Sequence, residues 1–111
     1  MKKSSTYEDR LSILKSFLEE SGIDSQKKMA IEEMSELTKE LCKTWRFGAD
    51  EADRVDVENV EEIRGEIADV LIMATQLKIF YGEVEIEKII DYKINRHISR
   101  IAQAKAEQGN K

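Results

Sequence analysis

The stretch that decides the fold is Val60–Tyr81, V-E-E-I-R-G-E-I-A-D-V-L-I-M-A-T-Q-L-K-I-F-Y. Ile63, Ile67, Val70, Ala74, Leu77 and Tyr81 recur at three- and four-residue intervals, the apolar stripe of an α-helix. Asn59 with Glu62 has the spacing of a capping box at its start, and Gly82 follows its end. Ala68, Ile72 and Ile79 fall on the opposite side, and a helix apolar on two faces lies either at the centre of a bundle or against a second chain. Glu62, Glu66 and Asp69 share a further stripe with Met73 and Phe80, next to the core face. Carboxylates placed there are partly desolvated. Burying one without a partner is costly enough to force protonation, so a bound cation or a basic partner is expected.

Upstream, Glu32–Glu36 reads E-E-M-S-E and supplies a second set of acids. Glu33 with Glu36, like Glu66 with Asp69, stands three residues apart and shares a helix face. Ile31, Met34, Leu37 and Leu41 form the expected core stripe of this helix; Glu33 borders it, with Glu36 and Glu40 just beyond. Asp24 or Ser25 can cap its start, and it ends before Gly48. Four carboxylates from two helices would thus converge, each pair repelling by about 1 kcal/mol in water at 4 Å and by several times that near a low-dielectric surface.

The remaining chain is also helical in pattern. Ser5 followed by Glu8 resembles a capping box, and Leu11, Ile13, Leu14, Phe17 and Leu18 carry a helix over residues 6–21 that Gly22 terminates. Residues 48–58 are acidic and weakly patterned, a loop able to close over a ligand. A last helix over 85–106 carries Ile86, Ile89, Ile90, Ile94, Ile98 and Ile101, and the tail from Gln103 is polar. With 111 residues, no proline and 37% charged side chains, the chain is expected to be one all-α domain, a mostly antiparallel four-helix bundle completed by oligomerisation as a dimer or tetramer.

Composition narrows the function. A net charge of -5 argues against affinity for duplex nucleic acid, which is dominated by Lys and Arg at phosphates. Cys42 is the only cysteine, which rules out a disulfide framework or a Cys-rich zinc site within one chain. The opening residues lack the apolar run of a secretory signal, and no segment offers the roughly 20 apolar residues of a membrane span, so a cytoplasmic protein with no membrane partner is expected. His97 is the only histidine and has no glutamate three residues before it, which removes the ligands of a di-iron bundle. Oxygen donors without histidine or thiolate suit Mg²⁺, with Mn²⁺ as substitute, and Mg²⁺ commonly bridges carboxylates to phosphate oxygens. A nucleotide polyphosphate is then the natural second ligand, although no Walker A loop is present.

E-E-M-S-E followed by E-I-A-D on the next long helix resembles the signature E-E-x-x-E / E-x-x-D of the MazG-like all-α nucleoside triphosphate pyrophosphohydrolases, over about residues 26–96. The spacing from Glu36 to Glu66 is long for that family and implies a longer loop. The resemblance implies that Glu33, Glu36, Glu66 and Asp69 hold Mg²⁺ and serve catalysis, with Glu32 an additional or supporting acid. It implies hydrolysis of a nucleoside triphosphate to the monophosphate and pyrophosphate, and it points to Lys93, Asn95 and Arg96 as substrate contacts. Trp45, at the end of the second helix, is an aromatic able to stack on a base. Against this stand two rival classes: a helical interaction module whose acids pair with a partner's basic residues, and a nucleotide-binding protein without turnover.

Overall fold

A computed structural model describes the backbone of residues 6–46 and 59–109, with side chains from 44 to 46 left aside. The described residues form four α-helices and no strand: α1 (Tyr7–Ser21), α2 (Ile23–Arg46), α3 (Val60–Tyr81) and α4 (Glu83–Gly109). None of them is long and apolar enough to cross a membrane. The chain divides into two compact units, one from Met1 to Phe80 and the other from Tyr81 to Lys111. The expected loop over 48–58 and the Ser5 cap lie outside the described residues.

The cap of α1 is a capping box made by Thr6 and Asp9. The Asp9 N–H donates to Thr6 Oγ1 at 3.0 Å, and the Thr6 N–H donates to the Asp9 carboxylate at 3.4 Å, which satisfies two amides that the helix cannot. Gly22 ends the helix with its N–H donating to Leu18 O at 2.9 Å and at once accepts the N–H of Gln26 at 3.1 Å, so α2 begins at Ile23 without using Asp24 or Ser25 as its first cap. Its backbone, φ 84° and ψ 155°, lies in a region that only glycine adopts freely, and another residue there would be strained by about 1–3 kcal/mol.

In the first unit α2 faces α3 along a seam that differs from the expected one. Ile31, Met34 and Leu41, read as core-facing, are 61%, 46% and 49% exposed. The buried or half-buried positions of α2 are instead Ile23, Gln26, Ala30, Glu33, Leu37, Glu40 and Lys43, spaced three and four residues apart. On α3 the buried residues are Met73 and Gln76, while Ile67 and Tyr81 of the expected main stripe are exposed. The physical reason lies in what pairs across the gap. Each polar seam position of α2 meets a polar partner on α3 or just before it: Gln26 with Gln76, Glu33 with Glu66 and Asp69, Glu40 with Asn59. Partner numbers fall along α3 as they rise along α2. Specific polar pairing has thus taken the face that apolar periodicity alone assigns to Ile31 and Met34.

Among the described residues, Leu18, Ala30 and Met73 are the buried hydrophobic ones, alongside the buried polar Gln26, Glu40 and Gln76. In the second unit, α4 carries Ile89, Ile90, Ile94, Ile98 and Ile101, all exposed. The α-helical periodicity read from these isoleucines matches the helix observed, which extends from Glu83 to Gly109 and so includes the polar residues from Gln103.

Candidate metal centre

Helical geometry assembles the acids. Glu66 and Asp69 stand three residues apart on α3, and Glu33 occupies the seam position of α2 that faces them. One carboxylate oxygen from each of these three residues lies within 4.8 Å of the others. Glu33 and Glu66 are half-buried and Asp69 is exposed, so the group opens to solvent on one side. Partial burial pushes the Glu33 carboxyl above the usual carboxylate range, and the negative charges of Asp69 and Glu66, with hydrogen bonds to the same two groups, push it further in that direction. Oε2 of Glu66 is buried with no hydrogen-bond partner among the described residues. A buried acceptor left in this state is costly, and like charges beside it compound that cost.

The donor set fits a hard divalent cation. Of three oxygens on one octahedral Mg²⁺ at about 2.0–2.1 Å, at most one pair can stand opposite at about 4.2 Å and adjacent pairs lie about 3 Å apart, so carboxylates spread by up to 4.8 Å would close by up to about 2 Å on the ion. The remaining expected residues are placed differently. Glu36 is exposed and stands about 60° round α2 from Glu33, outside this group, and Glu32 is exposed as well. Lys93, Asn95 and Arg96 lie exposed on α4 in the second unit, with the Arg96 guanidinium 5.6 Å from the centroid of the Tyr92 ring. The side chain of Trp45 lies outside the described residues.

Apolar periodicity alone did not turn four polar residues, Gln26, Glu40, Asn59 and Gln76, into this seam. Seven residues beyond Glu33, the buried Glu40 accepts from Asn59 Nδ2 at 3.0 Å and from Lys43 Nζ at 3.0 Å. Asn59 also donates to the Glu40 carbonyl at 3.1 Å, and its own carbonyl accepts the Ile63 N–H at the start of α3. The Asn59 hydrogen bond, followed by that from Lys43, holds the Glu40 carboxyl below its ordinary range. Seven residues before Glu33, Gln26 donates through Nε2 to Gln76 Oε1. The signal was available as a polar residue at every seventh position, 26, 33 and 40, a repeat that keeps one face of a helix turned to its neighbour.

Gln26, Glu33 and Asp69 also line one open cleft of about 320 Å³, whose apolar wall includes Phe17, Met29 and Ile72. A three-acid group with an adjoining cleft is therefore the chemical content of this face. No protein-family model, curated protein or solved structure matches the chain.

Proposed function

We propose that the chain is a Mg²⁺-dependent nucleoside triphosphate pyrophosphohydrolase of the MazG-like all-α kind, releasing a nucleoside monophosphate and pyrophosphate. The observation that supports it most is the convergence of Glu33, Glu66 and Asp69 around a buried, unpartnered carboxylate oxygen. In this reading those three residues hold the ion, with Glu36 and Glu32 as further acids toward the solvent side. Mg²⁺, or Mn²⁺ in its place, supplies neutralisation of phosphate charge and a more acidic bound water. Lys93, Asn95 and Arg96 of α4 are proposed contacts to phosphate, sugar or base, and Trp45 a proposed stacking residue.

The bundle arrangement belongs to the same proposal. Ile31, Met34, Leu71 and Ile72 are each more than two-fifths exposed, and apolar surface of this kind is normally covered by another chain. We take the cover to be further copies of this chain, giving a mostly antiparallel helical homo-oligomer, a dimer or tetramer, acting on cytoplasmic nucleotides. The exposed face also favours the second reading, a non-catalytic interaction module. A screen of nucleoside triphosphates, reading pyrophosphate against orthophosphate with Mg²⁺ and with chelator, separates the two. Metal-dependent pyrophosphate release that Asp69→Asn removes supports the enzyme; a helical protein that releases none from any nucleotide refutes it.

A further inference from the structure

The cleft beside the acids contains a second unsatisfied group, and it asks for a ligand of a different kind. Gln26 and Gln76 are only 4% and 1% exposed. Gln76 Nε2 donates to the sulfur of Met73 at 3.7 Å, and Gln76 Oε1 accepts from Gln26 Nε2. Oε1 of Gln26 is then buried with no partner among the described residues. The direction of this chain of bonds is set at its far end. A thioether accepts but cannot donate, so Gln76 must turn its amide NH₂ toward Met73 and its carbonyl toward Gln26. Gln26 must in turn present NH₂ to Gln76. Its own carbonyl is left over, on a side chain that lines the same cleft as Glu33 and Asp69.

A free carbonyl requires a hydrogen-bond donor. Phosphate oxygens carry none, so the triphosphate cannot satisfy it. The ion at the acids cannot either: Gln26 stands seven residues from Glu33, roughly 10 Å along the helix, far beyond the about 2.1 Å reach of a Mg²⁺ ligand. That separation suits the nucleoside end of a ligand whose phosphates lie at the acids. Phe17 and Met29 on the cleft wall, each close to half exposed, offer apolar and polarisable surfaces to the flat face of a ring.

We infer that Gln26 is a specificity-determining residue that accepts a hydrogen bond from the exocyclic amino group of the nucleobase, selecting cytosine or adenine over uracil, thymine or hypoxanthine. The phosphate end of this assignment rests on the pyrophosphohydrolase reading above. A base with a carbonyl oxygen in place of the amine sets acceptor against acceptor and leaves Gln26 unsatisfied. Met73 is a positioning residue, since its sulfur orients both amides.

The test is calorimetric binding of non-hydrolysable α,β-imido triphosphates to the full chain in Mg²⁺, in two pairs: deoxycytidine against deoxyuridine, and deoxyadenosine against deoxyinosine. The amino member of each pair is expected to bind about tenfold or more tightly. Gln26→Met, close in volume, should bring each pair to within about twofold, and Met73→Leu should narrow the gap by freeing the amides to flip. Circular dichroism checks that the variants fold. Equal affinity within both pairs for the wild-type chain overturns the inference without any variant, as does discrimination that survives in a folded Gln26→Met. A ribose-against-deoxyribose preference that Gln26→Met removes would also overturn it, by assigning the carbonyl to the sugar. Discrimination in binding without pyrophosphate release keeps the base assignment and removes the hydrolase. Turnover without discrimination does the reverse.

Discussion

Glu33 and Glu40 occupy the same seam of α2, seven residues apart, and their surroundings push them in opposite directions. Glu40 is buried yet satisfied: Asn59 and Lys43 donate to its carboxylate, and it is held ionised below its usual range. Glu33 meets two further acids, one with a buried oxygen that nothing donates to, and is pushed upward. The first arrangement is a clasp between α2 and the start of α3. The second is a site with negative charge in excess. What separates structure from function along this seam is whether the chain supplies its own hydrogen-bond donors.

The largest effect expected from this contrast is on turnover. Asp69→Asn and Glu66→Gln should each lower pyrophosphate release by at least about a hundredfold with unchanged helical content, whereas Asn59→Ala should leave most of the activity in the protein that remains folded. Equal losses from both ends of the seam, measured as initial rates, would erase the distinction. Next in size is the response to the ion. Mg²⁺ at a hundred times its dissociation constant should stabilise the wild-type chain by about 2.7 kcal/mol, seen as a raised melting midpoint. Glu33→Gln should abolish that rise without lowering the midpoint of the metal-free protein, because it removes a charge from a repelling group. Glu40→Gln should do the opposite, lowering the midpoint and keeping the Mg²⁺ response.

A smaller effect separates the two acids by pH. Glu40 has a depressed pKa in the folded state, so it contributes stability that is present above its unfolded value and lost as pH falls through the folded one. Glu33 has the reverse shift: the folded state binds its proton more tightly, so in metal-free protein its contribution is present below the unfolded value and is lost as pH rises through the folded pKa. Melting curves across the acid range should therefore flatten on one side in Glu40→Gln and on the other in Glu33→Gln. Mg²⁺ affinity should rise with pH over the interval in which Glu33 gives up its proton, since the ion and the proton compete for it. The smallest expected change is in Asn59→Ala, a drop of a few degrees in the melting midpoint, because Lys43 still donates to Glu40. A midpoint unchanged by this substitution would show that Asn59 is not part of a clasp.

Much of the local structure was legible from residue order. The helical character of Val60–Tyr81, the terminating role of Gly22 and Gly82, and the pairing of Glu66 with Asp69 on one face depend only on propensity, backbone freedom and a repeat of about 3.6 residues per turn. Three-residue spacing likewise put Glu66 and Asp69 on one side of α3, but it could not tell that Glu36, spaced alike from Glu33, stands outside the group. Which side of α2 turns to α3 was not. Ile31 and Leu41 are more hydrophobic than Gln26 and Glu40, and a wheel ranks faces by hydrophobicity alone. Two amides and an acid–amide clasp outweighed that ranking, and pairing of this kind exists only once two distant segments meet.

Residue order alone makes the described segments helical and sets the acids in pairs, since both follow from interactions within a few residues. That Glu33 joins Glu66 and Asp69 while Glu36 stays in solvent, and that Gln26 ends a relay with its carbonyl unpartnered among the described residues, emerged with the packing of the helices. The reason is that hydrogen bonds and like-charge contacts depend on separations of a few ångströms between residues far apart in the chain, and these are settled by packing, not by periodicity.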